Sequence, residues 1–183
     1  VRLRPPEQSD TDLNTVVRSA LEVTAYGARS SGISIDTDLA AERLLVKGDT
    51  DHLTQVVANF LVNSQHALAG RSGERRIKVR TFRNEETCGF AVEDNGPGVA
   101  DAIKDRIFES YFTTKPVGVG TGIGLSISRS IVERHHGTVR LEDVEPHGAR
   151  FVVELPVLAQ TAQGTPMPEA QTRELRHALI IDD

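Results

Sequence analysis

The stretch that decides the fold is Phe108-Glu-Ser-Tyr-Phe-Thr-Thr-Lys115-Pro-Val-Gly118-Val-Gly-Thr-Gly-Ile-Gly124-Leu125, in which every second residue from 118 to 124 is glycine. Apolar residues from about 122 to 135 follow helical spacing, so the glycines are predicted to open directly into a helix. Glycines let backbone N–H groups approach phosphate oxygens closely, and a helix N-terminus behind them adds about half a positive charge. The stretch therefore predicts a phosphate-binding loop, with a flexible glycine-rich loop as the alternative.

Two side chains in this stretch favour the phosphate-binding reading. Lys115 can bring a positive charge to terminal phosphates, and Thr121 is predicted to be the N-cap of the helix. Two common phosphate-loop patterns do not fit. There is no G-x-x-x-x-G-K-[ST], and Asp101 and Ile123 stand where a G-x-G-x-x-G pattern needs its last glycine.

A second candidate site lies on a predicted amphipathic helix over residues 51–69. Asn59, Asn63 and His66 share one side stripe of this helix, next to its apolar face. A carboxamide oxygen is a neutral, hard ligand that can complete a Mg²⁺ shell made of water and phosphate oxygens. The alternative is that these are ordinary surface residues or caps. The apolar face comprises Leu53, Val56, Val57, Phe60, Leu61 and Leu68.

A third candidate is Asp94-Asn-Gly96-Pro-Gly98, which follows the apolar end of a predicted strand. The two glycines allow the backbone to approach a flat ligand, and the Asp94 carboxylate can accept a hydrogen bond from the exocyclic amine of adenine. Guanine carries an oxygen at that point and would leave the carboxylate without a donor, which disfavours it. Asp-Asn-Gly is also a common turn sequence, so a simple turn remains the alternative.

Composition indicates an ordinary globular protein without tryptophan, whose core must be filled by aliphatic residues. The net charge of −5 argues against nucleic acid as the main partner. The single cysteine, Cys88, cannot form an internal disulfide, which fits a reducing compartment. No apolar run approaches the roughly 20 residues that a membrane-spanning helix needs.

Local patterns divide the chain into four parts. Residues 1–9 are predicted to be a connector, 10–157 the main domain, 158–175 a linker and 176–183 the start of another unit. Within the main domain we expect a helix over 12–29 and strands near 33–35, 76–83, 87–93, 138–141 and 150–155.

In this order, the segments resemble the ATP-binding domain of sensor histidine kinases, within the superfamily that also contains gyrase, a heat-shock chaperone and mismatch-repair ATPases. The matching boxes are residues 59–63, 94–98, 108–112, 118–124 and 147–151. The resemblance implies an α/β (α+β) two-layer sandwich, a Bergerat-type ATP-binding fold with a mixed sheet backed by helices and a mobile lid near 110–121. The ligands implied are ATP and Mg²⁺.

The resemblance also assigns roles by matching position. Asn63 would bind Mg²⁺, Asn59 would support it, His66 would lie near phosphate and Asp94 would bind adenine. Asn59, Asn63 and Lys115 are the implied catalytic residues. The other implied nucleotide-binding residues are Gly96, Gly98, Phe108, Thr113, Thr114, Lys115, Gly118, Gly120, Thr121, Gly122, Ile123, Gly124 and Leu125.

At some positions this chain differs from members of the superfamily that it resembles. ATP-hydrolysing relatives carry a glutamate as general base at the position of Asn59, and an amide cannot take up a proton at neutral pH. The difference favours phosphoryl transfer to an imidazole over hydrolysis. Ala149 stands where Thr or Ser is frequent, which puts a water-mediated adenine contact in doubt, and Thr138 replaces a frequent glycine.

The resemblance implies partners that this sequence does not contain. None of the six histidines has the surroundings of a phosphoacceptor, so the acceptor is expected on a dimerisation hairpin preceding residue 1. The C-terminal Leu179-Ile-Ile-Asp-Asp183 resembles the first strand of a receiver domain. We expect a cytoplasmic, monomeric fragment that does not label itself. The alternatives are a nucleotide-sensing module of a degenerate kinase and a gyrase-type ATPase.

Overall fold

The computed structural model describes residues 9–114 and 122–158. The helices are α1 (Leu13–Ser30), α2 (Thr50–Leu68), α3 (Asp101–Lys104) and α4 (Gly124–Arg134). The strands are β1 (Ser9–Asp12), β2 (Ser34–Asp38), β3 (Leu45–Gly48), β4 (Arg76–Arg83), β5 (Thr87–Asp94), β6 (Thr138–Asp143) and β7 (Ala149–Pro156). The connector and linker predictions, apart from Ser9 and Leu158, and the receiver prediction lie outside the described residues.

The main sheet has five strands in the order β2-β4-β5-β7-β6, with β2 and β4 parallel and the other neighbours antiparallel. In β4, Ile77 and Val79 are buried while Lys78 and Arg80 are exposed, so one face of the sheet packs and the other meets water. The helices α1, α2 and α4 cover the packed face, and α2 contacts both of the others. The predicted two-layer α/β sandwich is confirmed.

Helix α2 lies at the centre because its apolar face is continuous. Its N-cap is Asp49, whose carboxylate accepts a hydrogen bond from the backbone N–H of His52 at 3.0 Å. Phe60 is fully buried and stacks on Phe151 of β7, with ring centroids 4.8 Å apart. The core is mainly aliphatic, as expected, but aromatic rings occupy its centre. Among the described residues, no helix combines the length and apolar character needed to cross a bilayer.

Three parts of the fold differ from the sequence predictions. Residues 9–12 form β1, which pairs with the unpredicted strand β3, and the Thr11 hydroxyl donates to the carbonyl of Gly48 at 3.0 Å. Helix α4 begins at Gly124, so its N-cap is Ile123 and the prediction of Thr121 as N-cap was wrong. The short helix α3 was also missed.

Candidate functional site

A cavity of about 520 Å³ lies between α2, the loop after β5 and the start of α4. Its walls combine a few polar groups with a larger apolar surface, as is usual for sites that bind small molecules. Of the residues predicted for the site, those that line it are Asn59, Asn63, His66, Asp94, Gly98, Thr113, Thr114, Gly122, Gly124 and Leu125.

The last residue of β5, Asp94, supplies a buried carboxylate to this cavity. It is 3% exposed, and both of its oxygens accept hydrogen bonds: Oδ2 from the Ser64 hydroxyl and Oδ1 from the Gly96 N–H, both at 2.9 Å. Burial raises the pKa of Asp94 above its usual 3.8, and the hydrogen bonds from Gly96, Ser64 and the Ala149 backbone partly oppose that rise. A carboxylate offers about four acceptor sites, so these three hydrogen bonds leave room for one from a ligand.

The loop after Asp94 needs glycine for steric reasons. Gly98 has φ +77°, and a Cβ there would also lie 3.0 Å from the carbonyl oxygen of Gly148. At Gly148 a Cβ would lie 2.1 Å from the carbonyl oxygen of Asp94. The glycines therefore let the two loops close over the end of β5 and hold the Asp94 carboxylate at the cavity.

The polar stripe of α2 forms a second part of the wall. Asn59, Asn63 and His66 all face this cavity, as their helical spacing predicted. The Asn59 amide nitrogen donates to the carbonyl of Gly124 at 3.2 Å and to the Ser128 hydroxyl at 3.1 Å. Asn59 thus ties α2 to the first turn of α4. The roles of these residues as ligands stay predictions.

Other predicted site residues lie outside the cavity wall. Gly96 supports Asp94 through its N–H group, and Phe108 packs edge-on against Phe151, which itself lines the cavity. Ile123 is the N-cap of α4. The remaining predictions, Lys115, Gly118, Gly120 and Thr121, fall outside the described residues.

Sequence reasoning missed most of the apolar wall and the support behind Asp94. Ser64 follows Asn63 directly, and its position on the buried side of α2 was a signal that could have identified it. The apolar wall can pack against a flat aromatic ligand, with Asp94 to orient it. It is formed by Val62, Val99, Ile103, Ile107, Phe112, Ala149 and Phe151.

Known proteins of similar sequence are ATPases of one family and bacterial sensor kinases. A family model described as histidine kinase-, DNA gyrase B- and HSP90-like ATPase matches residues 48–159. The two-component sensor PprA of Pseudomonas aeruginosa is 36% identical over 149 residues, which are 79% of this chain and 16% of that protein. The sensor histidine kinase ZraS of Salmonella typhimurium is 32% identical over 81% of this chain and 31% of its own length. The chain therefore spans less than a third of these relatives.

Solved structures are similar in fold. The catalytic domain of histidine kinase ThkA in a nucleotide-free form is 28% identical, with a TM-score of 0.73 over 82% of this chain and 97% of that one. ThkA in complex with the response regulator TrrA is 27% identical, with a TM-score of 0.68 over 82% of this chain and 42% of that one.

Proposed function

The chain belongs to the family of histidine kinase-, DNA gyrase B- and HSP90-like ATPases, and from that membership we propose that it binds Mg·ATP and donates the γ-phosphoryl group to a histidine on a dimerisation domain of the same protein. The relatives it matches are named as two-component sensors and sensor histidine kinases. One observation carries the proposal. A single cavity contains a buried carboxylate, an apolar wall and two amides beside a helix N-terminus.

The carboxylate end of the cavity suits adenine. Asp94 can accept one further hydrogen bond, from the exocyclic amine, while the apolar wall packs against the faces of the ring. A guanine ring would place its carbonyl oxygen against the same carboxylate and leave both acceptors without a donor. Sites built around such a buried polar group discriminate strongly between bases.

The amide end suits the phosphates. Ser64, which supports the carboxylate, and Asn59 are five residues apart on α2, which corresponds to roughly 7.5 Å along the helix axis. Gly124 begins α4 beside Asn59, so the positive end of that helix dipole lies at the cavity. The Asn63 side chain can offer a hard oxygen to Mg²⁺, which fits an ion held mainly by phosphate oxygens and water. Bound Mg²⁺ would neutralise charge on the β- and γ-phosphates.

The same end favours a histidine over water as acceptor. Asp94 is the one carboxylate among the described residues that line the cavity, and its hydrogen bonds commit it to the other end. Asn59 cannot deprotonate water. A neutral imidazole needs no base: its lone pair forms the N–P bond, ADP leaves with the electrons of the broken P–O bond, and the ring loses its N–H proton to solvent.

Two measurements test this proposal. Calorimetric titration should show Mg²⁺-dependent binding of ATP and much weaker binding of GTP. With radiolabelled ATP, the chain should then transfer phosphate to a separately produced histidine-bearing hairpin, and not to the same hairpin with its histidine replaced by glutamine. ATP binding without transfer would instead identify a nucleotide-sensing module, and failure to bind ATP would overturn the proposal.

We also infer a partner and a location. ThkA has been solved in complex with a response regulator, so a receiver domain is the proposed next carrier of the phosphoryl group. Use of ATP as the donor favours the cytoplasm, where ATP is available.

A further inference from the structure

Ser64 occupies an unusual position in the site. It follows the predicted metal ligand Asn63, is 1% exposed and lies behind Asp94 rather than in the cavity wall. Its hydroxyl spans from α2 to the end of β5, where it donates to Oδ2 of Asp94 at 2.9 Å. The other oxygen accepts from the Gly96 N–H. With donors on both oxygens, the plane of the carboxylate in the cavity is fixed.

We propose that Ser64 is a positioning residue for base selection, whose hydroxyl orients the Asp94 carboxylate so that the site accepts adenine and rejects bases with a carbonyl at the same point. This inference rests on the proposed nucleotide-binding function. It assigns the preference for adenine to a pair of side chains, of which only Asp94 would touch the base.

Ser64 can influence base selection because its hydroxyl donates its hydrogen bond to Asp94. A carboxylate has no proton, so a hydroxyl facing it must donate, and this donation favours the ionised form. Burial raises the pKa of Asp94, and the Ser64 hydrogen bond is among the interactions that oppose the rise. Without the hydroxyl, the carboxyl group would hold its proton to a higher pH. A protonated carboxyl group can donate to a base carbonyl, so discrimination against that carbonyl would fall.

The structure also offers a site for rescue. Ala149 is the β7 partner of Asp94 in the antiparallel ladder, so the two side chains lie on the same face of the sheet. Ala149 is 6% exposed and lines the cavity, but it carries no hydroxyl. A serine at this position would present a hydroxyl to the carboxylate from the β7 side.

The experiment measures dissociation constants of ATP and ITP by calorimetry from pH 4 to 8.5. ITP is the probe because hypoxanthine replaces the exocyclic amine of adenine by a carbonyl and changes nothing else at that edge except N1. The variants are Ser64→Ala and Ser64→Ala/Ala149→Ser. The control is Thr24→Val, which removes a buried hydroxyl bonded to the carbonyl of Ala20 in α1, away from the cavity.

Ser64→Ala should weaken ATP binding about tenfold, as expected for one hydrogen bond to a charged group. ITP binding should change less, and the acid limb of the ATP profile should move to higher pH. The double variant should recover part of the ATP preference, and Thr24→Val should behave as wild type. Equal weakening of ATP and ITP with an unmoved pH profile would mean a merely structural role and overturn the inference. Wild-type protein that binds neither nucleotide would refute the proposed function itself.

Discussion

Replacing Asp94 with asparagine should make the nucleotide-free protein more stable while it destroys nucleotide binding. The amide keeps the shape of the side chain: its oxygen can still accept from the Gly96 N–H, and its NH₂ can donate to the Ser64 hydroxyl, which is free to turn and accept. What the substitution removes is a negative charge on a side chain that is 3% exposed. Burial is the main reason why the pKa of Asp94 is raised.

The expected gain in stability follows from the upward shift of the Asp94 pKa. A raised pKa means that folding favours the protonated group, so its favourable contribution is present below pH 3.8 and is lost as pH rises through the folded-state pKa. Wild type and Asp94→Asn should therefore be similar in acid, and the variant should be more stable near neutrality. Each unit by which the folded-state pKa exceeds the unfolded one adds about 1.4 kcal/mol to the stability advantage of the variant near neutrality. In a chain of 183 residues, each 1.4 kcal/mol of added stability raises Tm by about 3–6 °C.

The assay is thermal unfolding of both proteins from pH 3.5 to 8, without nucleotide and with Mg·ATP. ATP at 100 times its Kd should stabilise wild type by about 2.7 kcal/mol and leave the variant unchanged. The stability difference between the two proteins should then shrink or change sign. The matched control is Asp101→Asn. Asp101 is exposed and its pKa is lowered by its hydrogen bond to Lys104, so this variant should gain nothing near neutrality. A nucleotide-free Asp94→Asn protein that is less stable than wild type at pH 7 would refute the reasoning.

Three further predictions concern the scaffold. Gly122→Ala should cost more stability to urea than Gly70→Ala: both have positive φ, but a Cβ at Gly122 would lie 2.6 Å from a backbone atom and one at Gly70 would meet nothing within 4 Å; equal costs would contradict this. His135→Phe should lower the free energy of unfolding by about 1–3 kcal/mol. In the wild type, Nε2 of His135 accepts a hydrogen bond from the Asp49 N–H at 3.0 Å, and a phenylalanine ring has no acceptor for that N–H. An unchanged urea midpoint would refute this prediction. Burial raises the pKa of Cys88 to about 11, so iodoacetamide at pH 8 should modify this thiol in urea and not in the native protein.

The periodic elements of the fold were predictable because each one carries its own signal. Residues 51–69 have a continuous apolar face, and the observed helix is Thr50–Leu68. The strand pair β1 and β3 has no such signal. Half of the polar segment Ser9–Asp12 is exposed, and it is a strand because it pairs with Leu45–Gly48 across more than thirty residues. Pairing of that kind depends on tertiary structure, which local periodicity does not contain.

The site was predictable to the extent that its chemistry lies in motifs. Helical spacing alone places Asn59 and Asn63 on one stripe, and the structure brings both to the cavity with Asp94. Most of the apolar wall was not predictable, since residues such as Ile103 and Ile107 lie where the sequence predicted neither a helix nor a strand. For Ser64 the sequence offered only its place on the buried side of α2; that its hydroxyl faces Asp94 depends on tertiary structure.

Helix α2 connects the stability of the fold to the function of the site. Phe60 and Leu61 hold it in the core, while Asn59, Asn63 and Ser64 stand beside them on the same helix. Because interiors are closely packed, a shift of α2 by a fraction of an ångström would move the amides and the support of Asp94 together. The base end and the phosphate end are thus set by one rigid element. Core substitutions that rotate α2 should therefore weaken ATP binding at both ends, even where the protein stays folded.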